Sequence, residues 1–325
     1  GYPLYTHYGI DNNPFKDQNK VNDAIQKLKS RDNSDEPWCQ FVGTLGPHDP
    51  YFVPEEFLNM YDKDEIELPD NYRDEMANKP NLYKKTRKPF DQLSDEEHKE
   101  AIRHYLAFCS YEDYLFGQVL EALEESGEAD NTLVIYLSDH GDYMGEHGLW
   151  CKGLPCFKGS YHVPCAVRWP EGVENPGREV DEFVSLADFA PTLLEIAGIS
   201  VDREFTGKSL LPFLKNEKPD EWRDAIFTQT NGNELYGIQR SIMTRKWKFV
   251  YNGFDYDELY NLEEDPDELN NVINDPENQE IVRKLSQRIW KSASETGDTC
   301  INPYIMVGLA PYGPAEAFRG NNSHE

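Results

Sequence analysis

The chain has 325 residues, of which 60 are acidic and 32 basic, and its formal net charge is −28. This length suits one large or two modest domains with a sizeable core. The negative charge argues against a nucleic-acid or anionic-membrane partner, because its long-range field repels both. Apolar runs are only a few residues long, so no segment is expected to span a bilayer.

Helix, strand and turn signals alternate from the start of the chain. Helical spacing covers Asn19 to Arg31, and the apolar run from Trp38 to Leu45 predicts a buried strand ending at G-P-H-D-P-Y. The stretch from Tyr61 to Phe90 is rich in charge, Pro and Asn, which predicts an irregular excursion over the surface. The pattern Ser94-x-x-Glu97 is a capping box, and it predicts a long helix to about Ser126.

Two predicted buried strands and another helix follow. The first strand starts at Leu133, the second covers Val163 to Trp169, and the helix covers Ser185 to Ala197 with Gly198 as its stop. This alternation is typical of an α/β layer.

The pattern changes after about Pro219, where short strands replace the alternation. The predicted elements are strands at Ala225 to Thr230, Leu235 to Thr244 and Trp247 to Tyr251, an acidic loop at Asp257 to Asn271, and a helix at Asn278 to Ser292. We therefore divide the chain into a main α/β part, 1–218, a small antiparallel subdomain, 219–301, and a tail, 302–325.

The six cysteines are scattered, which favours small buried side chains over a disulfide framework. Cys151, Cys156 and His147 suggest a zinc site, but no tight C-x2-C or H-x3-H pair accompanies them. A loop with incidental thiols is therefore the preferred interpretation. The compartment is left undecided.

The most informative segment is the apolar run that begins at Leu133 and stops abruptly at Asp139 and His140. Sites in α/β sheets lie at the carboxyl ends of strands. An isolated Asp-His pair would favour a turn cap and a partly buried histidine. The glycine-rich loop that follows reverses this interpretation, since it crowds further titratable groups into the same place. These groups are Asp142, Glu146, His147 and Lys152.

A second candidate lies in the segment from Gly46 to Tyr51, where two prolines fix the backbone around His48. Alone, His48 is equally well a turn residue packed on Tyr51. If its strand neighbours the Leu133 strand in a sheet, both loops open at the same end. His48, Lys152 and Asp139, as a candidate metal ligand, would then surround one anion.

Together these motifs resemble the type I sulfatases, a family of the alkaline phosphatase superfamily. S-D-H-G-D-Y-M-G-E-H-G-L-W-C-K-G (138–153) resembles the family's metal and sulfate-binding loop, G-P-H-D-P-Y resembles its P-H-x-P-Y element, and E-L-Y-N-L-E-E-D-P-D-E-L-N-N (258–271) its C-terminal signature. The resemblance covers the chain from about Trp38 to Asn271. It implies an alkaline-phosphatase-like α/β sandwich, with a central mixed sheet flanked by helices and a small C-terminal antiparallel sheet.

The resemblance also implies roles for individual residues. Asp139 and His140 would be two ligands of a divalent ion, with calcium expected, although relatives often have Asn at the second position. Lys152 would hold a sulfate oxygen, and His48 would contact the ester near its leaving oxygen. His147 is a further candidate for substrate contact, with loop packing as the alternative. The substrate would be a small-molecule or glycan sulfate ester.

Two parts of the family's site have no counterpart in this sequence. The nucleophile of these enzymes is a formylglycine made from Cys or Ser in C/S-x-P-S-R, and an acidic pair completes the metal shell; neither C/S-x-P-S-R nor Asp-Asp occurs here. We therefore expect the C-terminal portion of a longer sulfatase, with the formylglycine in an upstream region.

Two alternatives stay open. One is a phosphonate monoester or phosphodiester hydrolase of the same superfamily, and the other is a non-catalytic scaffold or truncated pseudoenzyme. The excursion Tyr61 to Phe90 and the stretch Gln229 to Arg240 are candidates for substrate choice. The sequence assigns neither the particular ester nor the oligomeric state.

Overall fold

The computed structural model describes residues 3–8, 16–31, 36–232, 236–300 and 309–317. Helices and short strands alternate first, and an antiparallel sheet follows. The helices are α1 (Asp17–Lys29), α2 (Glu55–Leu58), α3 (Asn81–Arg87), α4 (Asp95–Ser126), α5 (Lys158–Tyr161), α6 (Phe189–Ile196), α7 (Leu211–Leu214), α8 (Gln279–Glu295) and α9 (Pro314–Ala317). The strands are β1 (Tyr5–Tyr8), β2 (Tyr51–Pro54), β3 (Val134–Leu137), β4 (Cys165–Arg168), β5 (Ala225–Gly232), β6 (Tyr236–Thr244), β7 (Trp247–Asn252) and β8 (Glu258–Asn261).

The long helix α4 is the centre of the main core, and its prediction is confirmed. The Ser94 side chain accepts the Glu97 N–H at 3.3 Å, while the Glu97 carboxylate accepts the Ser94 N–H at 2.8 Å, so the capping box is present. The helix ends at Gly127, whose φ of 75° lies in the left-handed region that glycine adopts without strain. Its buried face packs against β2 and includes Ala101, Phe108, Tyr111 and Leu115.

The strand β2 pairs in parallel with β1, from Tyr5 opposite Tyr51 to Tyr8 opposite Pro54. Tyr51 and Val53 are fully buried beneath α4. Helix α1 lies alongside α4, and the prediction of a helix over Asn19 to Arg31 is confirmed with a start two residues earlier. These elements place the segment before β2 against α1 and α4.

The predicted buried strand from Trp38 to Leu45 is wrong. No strand forms there, and Phe41 and Leu45 are 91% and 51% exposed. Backbone N–H groups at the end of this segment donate to the Asp17 carboxylate rather than to a neighbouring strand. An apolar run becomes a strand only where a hydrogen-bonding partner lies beside it.

The two strands predicted around Leu133 and Val163 to Trp169 are confirmed as β3 and β4. They pair antiparallel, from Val134 opposite Arg168 to Leu137 opposite Cys165. Within the described ranges each pairs only with the other. Their predicted burial is wrong, because Tyr136 and Leu137 remain 37% and 38% exposed.

The segment from Ser185 to Ala197 is helical in two pieces, a 3-10 turn over Leu186–Asp188 followed by α6. The helix stops before Gly198, whose φ is 65°. The excursion from Tyr61 to Phe90 is largely irregular, as predicted, and contains α3.

The C-terminal sheet is antiparallel, in the order β5-β6-β7-β8. Its first three strands and the helix α8 were predicted; Leu235, the predicted start of the second strand, lies outside the described residues. The strand β8 was missed, since part of the predicted acidic loop is a buried strand. There Leu259 and Tyr260 are fully buried, and Glu258 accepts a hydrogen bond from Tyr83 at 2.7 Å.

The predicted boundaries at 218 and 301 stay predictions. The excursion and the sheet are joined by polar contacts, in which Tyr83 also receives a hydrogen bond from Gln239 at 2.8 Å. Most of the predicted tail lies outside the described residues, apart from 309–317 with α9. No helix in the described part of the chain has the length and apolar character needed to cross a bilayer.

Candidate functional site

The loop after β3 folds back on itself and returns Lys152 towards the strand end. The Tyr143 N–H donates to the Cys151 carbonyl at 2.9 Å, and the Gly145 N–H donates to the Leu149 carbonyl at 2.9 Å. These backbone hydrogen bonds therefore fix the shape of the loop.

The Asp142 carboxylate holds this loop closed. One oxygen accepts the Met144 and Cys151 N–H groups at 2.8 and 3.0 Å, and the other accepts the Tyr51 hydroxyl at 2.6 Å. Burial raises the pKa of Asp142 to about 6, although these hydrogen bonds act in the opposite direction. Because Tyr51 opens β2, the same carboxylate joins the His48 segment to the Lys152 loop.

A close backbone approach also fixes the start of the loop. The Gly141 N–H donates to the Ser160 carbonyl at 2.8 Å, and a Cβ at Gly141 would overlap the Gly159 carbonyl. Only glycine fits there.

The structure brings two of the predicted site residues into direct contact. Lys152 Nζ lies 2.7 Å from His48 Nε2. An ammonium can only donate, so Nε2 accepts and Nδ1 carries the ring proton. Nδ1 in turn lies 2.6 Å from the Asp49 carbonyl oxygen, which can only accept. Both partners fix the same tautomer of His48.

His140 lies beside this pair, with its ring centroid 6.1 Å from that of His48. Its Nδ1 lies 2.9 Å from the Gly141 carbonyl oxygen, so Nδ1 donates and the lone pair is on Nε2. The preceding Asp139 accepts the His140 N–H at 3.0 Å, and its side chain is 87% exposed. Both residues thus present electron-pair donors at the end of β3.

These two side chains fit a divalent cation as part of its shell. Asp139 Oδ1 and His140 Nε2 are 3.9 Å apart, a separation that suits two ligands of one ion with bonds of about 2.0–2.5 Å. The backbone carbonyl on Nδ1 fixes the tautomer that a ligating histidine needs. Among the residues that the structure describes, no group of three or more His, Cys, Asp or Glu could hold a metal, so the set is incomplete.

His147 has a different environment from the other candidates. Its ring is buried, lies 2.7 Å from an Asp74 oxygen through Nδ1 and stacks on Phe157 at 3.7 Å. Burial raises the pKa of Asp74, but hydrogen bonds from His147 and Lys79 outweigh it and bring the value to about 2. The contacts of His147 run to these residues and Asn71 rather than to His48 or Lys152.

Other candidate residues also make interior contacts. Trp150 is buried and donates its ring N–H to His98 at 2.8 Å, so it packs the loop. In the stretch Gln229 to Arg240, the Arg240 guanidinium pairs with Asp298 and also donates to Asn231 at 3.2 Å. Asn233, in the same stretch, lies outside the described residues.

Sequence reasoning missed the residues that hold the site together. Tyr51 and Asp142 are 91 positions apart in the chain, and Asp17 lies 28 positions before the backbone that it binds. Gly46, before Pro47 and His48, was the one local indication of this packing, since a close approach of the backbone to its neighbours requires glycine.

Comparison with known proteins identifies the family. A family model described as Sulfatase matches residues 2–199, and one described as N-sulphoglucosamine sulphohydrolase, C-terminal, matches residues 145–295. The chain belongs to the sulfatase family.

Two curated relatives are sulfatases. An arylsulfatase of Clostridium perfringens (strain 13 / Type A) is 32% identical over 293 residues, covering 87% of this chain and 59% of that protein. A choline-sulfatase of Rhizobium meliloti (strain 1021) is 34% identical over 267 residues, covering 78% of this chain and 50% of that protein. The chain thus spans between 50% and 59% of the length of these relatives.

A solved structure confirms the predicted alkaline-phosphatase-like fold class. The phosphonate monoester hydrolase of Agrobacterium radiobacter superposes with a TM-score of 0.77 and 27% identity, covering 85% of this chain and 60% of that one.

Proposed function

We propose that the protein hydrolyses sulfate esters, with Lys152 and His48 as the groups that contact the sulfate. The observation behind this proposal is the 2.7 Å contact between Lys152 and His48, beside a histidine whose tautomer suits a metal. The chain's membership of the sulfatase family supports the reaction class.

Lys152 supplies the local positive charge that an anionic substrate needs in a chain of charge −28. Its ammonium has three donors, of which one points to His48 and the others are available for sulfate oxygens. Because Lys152 is half-buried, its charge is less screened by water than that of a surface lysine.

His48 Nε2 is the atom that would hold a proton for the leaving oxygen. The Asp49 carbonyl occupies Nδ1, so Nε2, which accepts from Lys152 in this structure, would have to take up a proton before giving it to the leaving oxygen.

Asp139 and His140 would hold part of the shell of a divalent cation, with calcium as the expected ion. When bound, such an ion neutralises charge on the sulfuryl oxygens. In this proposal the nucleophile is a formylglycine from outside the 325 residues, since C/S-x-P-S-R does not occur among them. The buried position of His147 argues for loop support rather than for substrate contact.

The substrate class in this proposal is a small-molecule or glycan sulfate ester. A sulfated small molecule is named in the choline-sulfatase relative, and a sulfated amino sugar in the second family model. The charge of −28 makes nucleic acid and anionic membrane surfaces poor partners.

Phosphonate monoester hydrolysis is the second candidate, favoured by the TM-score of 0.77 to such an enzyme. The full-length protein separates the two when it is assayed with p-nitrophenyl sulfate and with p-nitrophenyl phenylphosphonate. We expect the larger kcat/KM for the sulfate ester, and its loss in Asp139→Ala. A larger value for the phosphonate would replace the proposal, and no turnover of either would favour a scaffold.

A further inference from the structure

The backbone that leads into His48 is fixed by a buried carboxylate at the start of α1. The Leu45 N–H donates to Asp17 Oδ1 at 3.0 Å, and the Gly46 N–H donates to Oδ2 at 3.1 Å. Asp17 is fully buried, and Lys20 donates to its Oδ1 at 2.9 Å. Since His48 follows Gly46 by two residues, Asp17 sets where the histidine segment begins.

A second carboxyl group lies against the first. Glu112 on α4 is 6% exposed, and among the residues that the structure describes no N–H or O–H group donates to its buried Oε1. Its carboxyl group is within hydrogen-bonding contact of Asp17 and Thr44. Two carboxylates can only accept, so a hydrogen bond between them requires that one carries a proton.

Gly46 packs directly on this pair. A Cβ at Gly46 would overlap both the Glu112 carboxyl group and the Phe108 ring. The histidine segment therefore has no room to move towards α4, and the Gly46 backbone lies against both carboxyl groups.

The other titratable groups around the pair come from each neighbouring element. Helix α1 supplies Lys20, whose side chain is 38% exposed, while α4 supplies Cys109 and β3 supplies Tyr136. Neither the thiol nor the phenol adds positive charge. Lys20 offsets part of the negative charge of Asp17. If Glu112 were ionised as well, two negative charges would repel each other in a buried site.

We propose that Asp17 and Glu112 form a proton-sharing carboxyl pair that acts as a positioning unit for His48, tight when it holds one proton and loosened when that proton is lost to solvent. This inference rests on the proposed function only in that His48 contacts the sulfate. The pair touches neither substrate nor reacting atoms.

The pH range follows from the direction of the Glu112 shift. Burial, with the Asp17 charge as a smaller contribution, raises the pKa of Glu112 from 4.5 to about 7. The folded protein then holds a proton that the unfolded chain has lost, so the stability contribution is full below 4.5 and falls as the pH rises through about 7. The loosening of the histidine segment occurs in this same range.

The test compares Glu112→Gln with the unsubstituted chain and with Glu121→Gln, which changes an exposed acid on the same helix. A glutamine amide donates to Asp17 at every pH and so imitates the protonated pair. Hydrogen-exchange protection factors of the Leu45, Gly46 and His48 amides are measured at pH 6 and pH 8.5, together with unfolding temperatures. Titration with inorganic sulfate in the presence of Ca²⁺ is carried out in parallel.

We expect protection to fall at least fivefold between the two pH values in the unsubstituted chain and in Glu121→Gln, and less than twofold in Glu112→Gln. An equal fall in all three proteins would overturn the inference. Should Glu112→Gln unfold, Glu112→Met makes the same comparison, because it removes the titrating group and leaves both Asp17 oxygens to accept the Leu45 and Gly46 N–H groups. If protection behaves as expected but none of the proteins binds sulfate, the proposed function is contradicted. The inference about the Asp17–Glu112 carboxyl pair is then retained.

Discussion

Asp74 accepts hydrogen bonds from two buried side chains, the His147 ring and the Lys79 ammonium. Lys79 has no solvent-exposed side-chain surface, and its ammonium donates to this carboxylate and to the Leu269 carbonyl. His147 thereby helps to hold the loop that ends in Lys152. This arrangement favours loop packing, the alternative role predicted for His147.

We expect Asp74→Asn to lower the free energy of unfolding at pH 7 by about 3–5 kcal/mol, because it leaves a buried ammonium unpaired. The pKa of Asp74 is lowered from 3.8 to about 2, so its contribution is present above 3.8 and is lost as the pH falls through about 2. The difference between the two proteins should therefore shrink in acid. Urea unfolding at pH 7 and pH 3 measures it, with the exposed Asp70→Asn as control. An equal difference at both pH values would contradict this account of Asp74.

Gly46 is a second residue whose role is set by what surrounds it. We expect Gly46→Ala to destabilise the fold by about 1–3 kcal/mol, because the new methyl group overlaps Glu112 and Phe108 in a packed interior. Gly117→Ala is a matched control on α4, since a Cβ there meets no atom within 4 Å. Thermal unfolding of both variants measures the effect. Equal unfolding temperatures would mean that the approach of Gly46 to α4 is looser than described.

At the scale of elements, the site depends on one hydrogen bond between β2 and the loop after β3. We expect Tyr51→Phe to lower the free energy of unfolding by about 1–2 kcal/mol, because a buried carboxylate oxygen of Asp142 loses its donor. It should also weaken sulfate binding, since the same bond aligns the His48 segment with the Lys152 loop. Tyr114→Phe, at a tyrosine that is 47% exposed, is the control in urea unfolding and sulfate titration. Unfolding that matches this control would show that the bond does not join the two elements.

The elements that the sequence predicts well are those specified by neighbouring residues. The helix α4 carries its own cap and its own glycine stop, both within the segment itself. Strand pairing is different, because the partner lies far along the chain. For this reason the run from Trp38 to Leu45 was wrongly predicted as a strand. The strand β8 pairs with the preceding β7, and it was missed because its segment is rich in acidic residues and was predicted as a loop.

The same distinction applies to the candidate site. The loop from Asp139 to Lys152 was found from local crowding of acids, imidazoles and glycines. The contact between His48 and Lys152 joins residues 104 positions apart, and the sequence predicted it only on the condition that their two strands are neighbours in a sheet or through the family resemblance. Asp17, Tyr51 and Asp142 act through contacts that no local pattern encodes.

At the scale of the whole molecule, a chain of charge −28 concentrates a lysine and two histidines at one end of β3. The family relation explains why such a cluster exists, and the proposed sulfate contact explains why a cation lies within it. The chain spans 50–59% of the length of two relatives. Catalysis is therefore proposed for the whole protein. For the 325-residue chain alone, we expect no turnover of p-nitrophenyl sulfate; measurable hydrolysis would place a nucleophile within it.

The most direct measurement is calorimetric titration of the 325-residue chain with sodium sulfate, in the presence of Ca²⁺. We expect saturable binding by the unsubstituted chain and by Lys158→Ala, which removes an exposed lysine six residues away. We expect binding at least tenfold weaker in Lys152→Ala, since a hydrogen bond to a charged group contributes about 1.5–3 kcal/mol. Equal affinity in Lys152→Ala, or the absence of binding by every protein, would contradict the assignment of this cluster as a sulfate site.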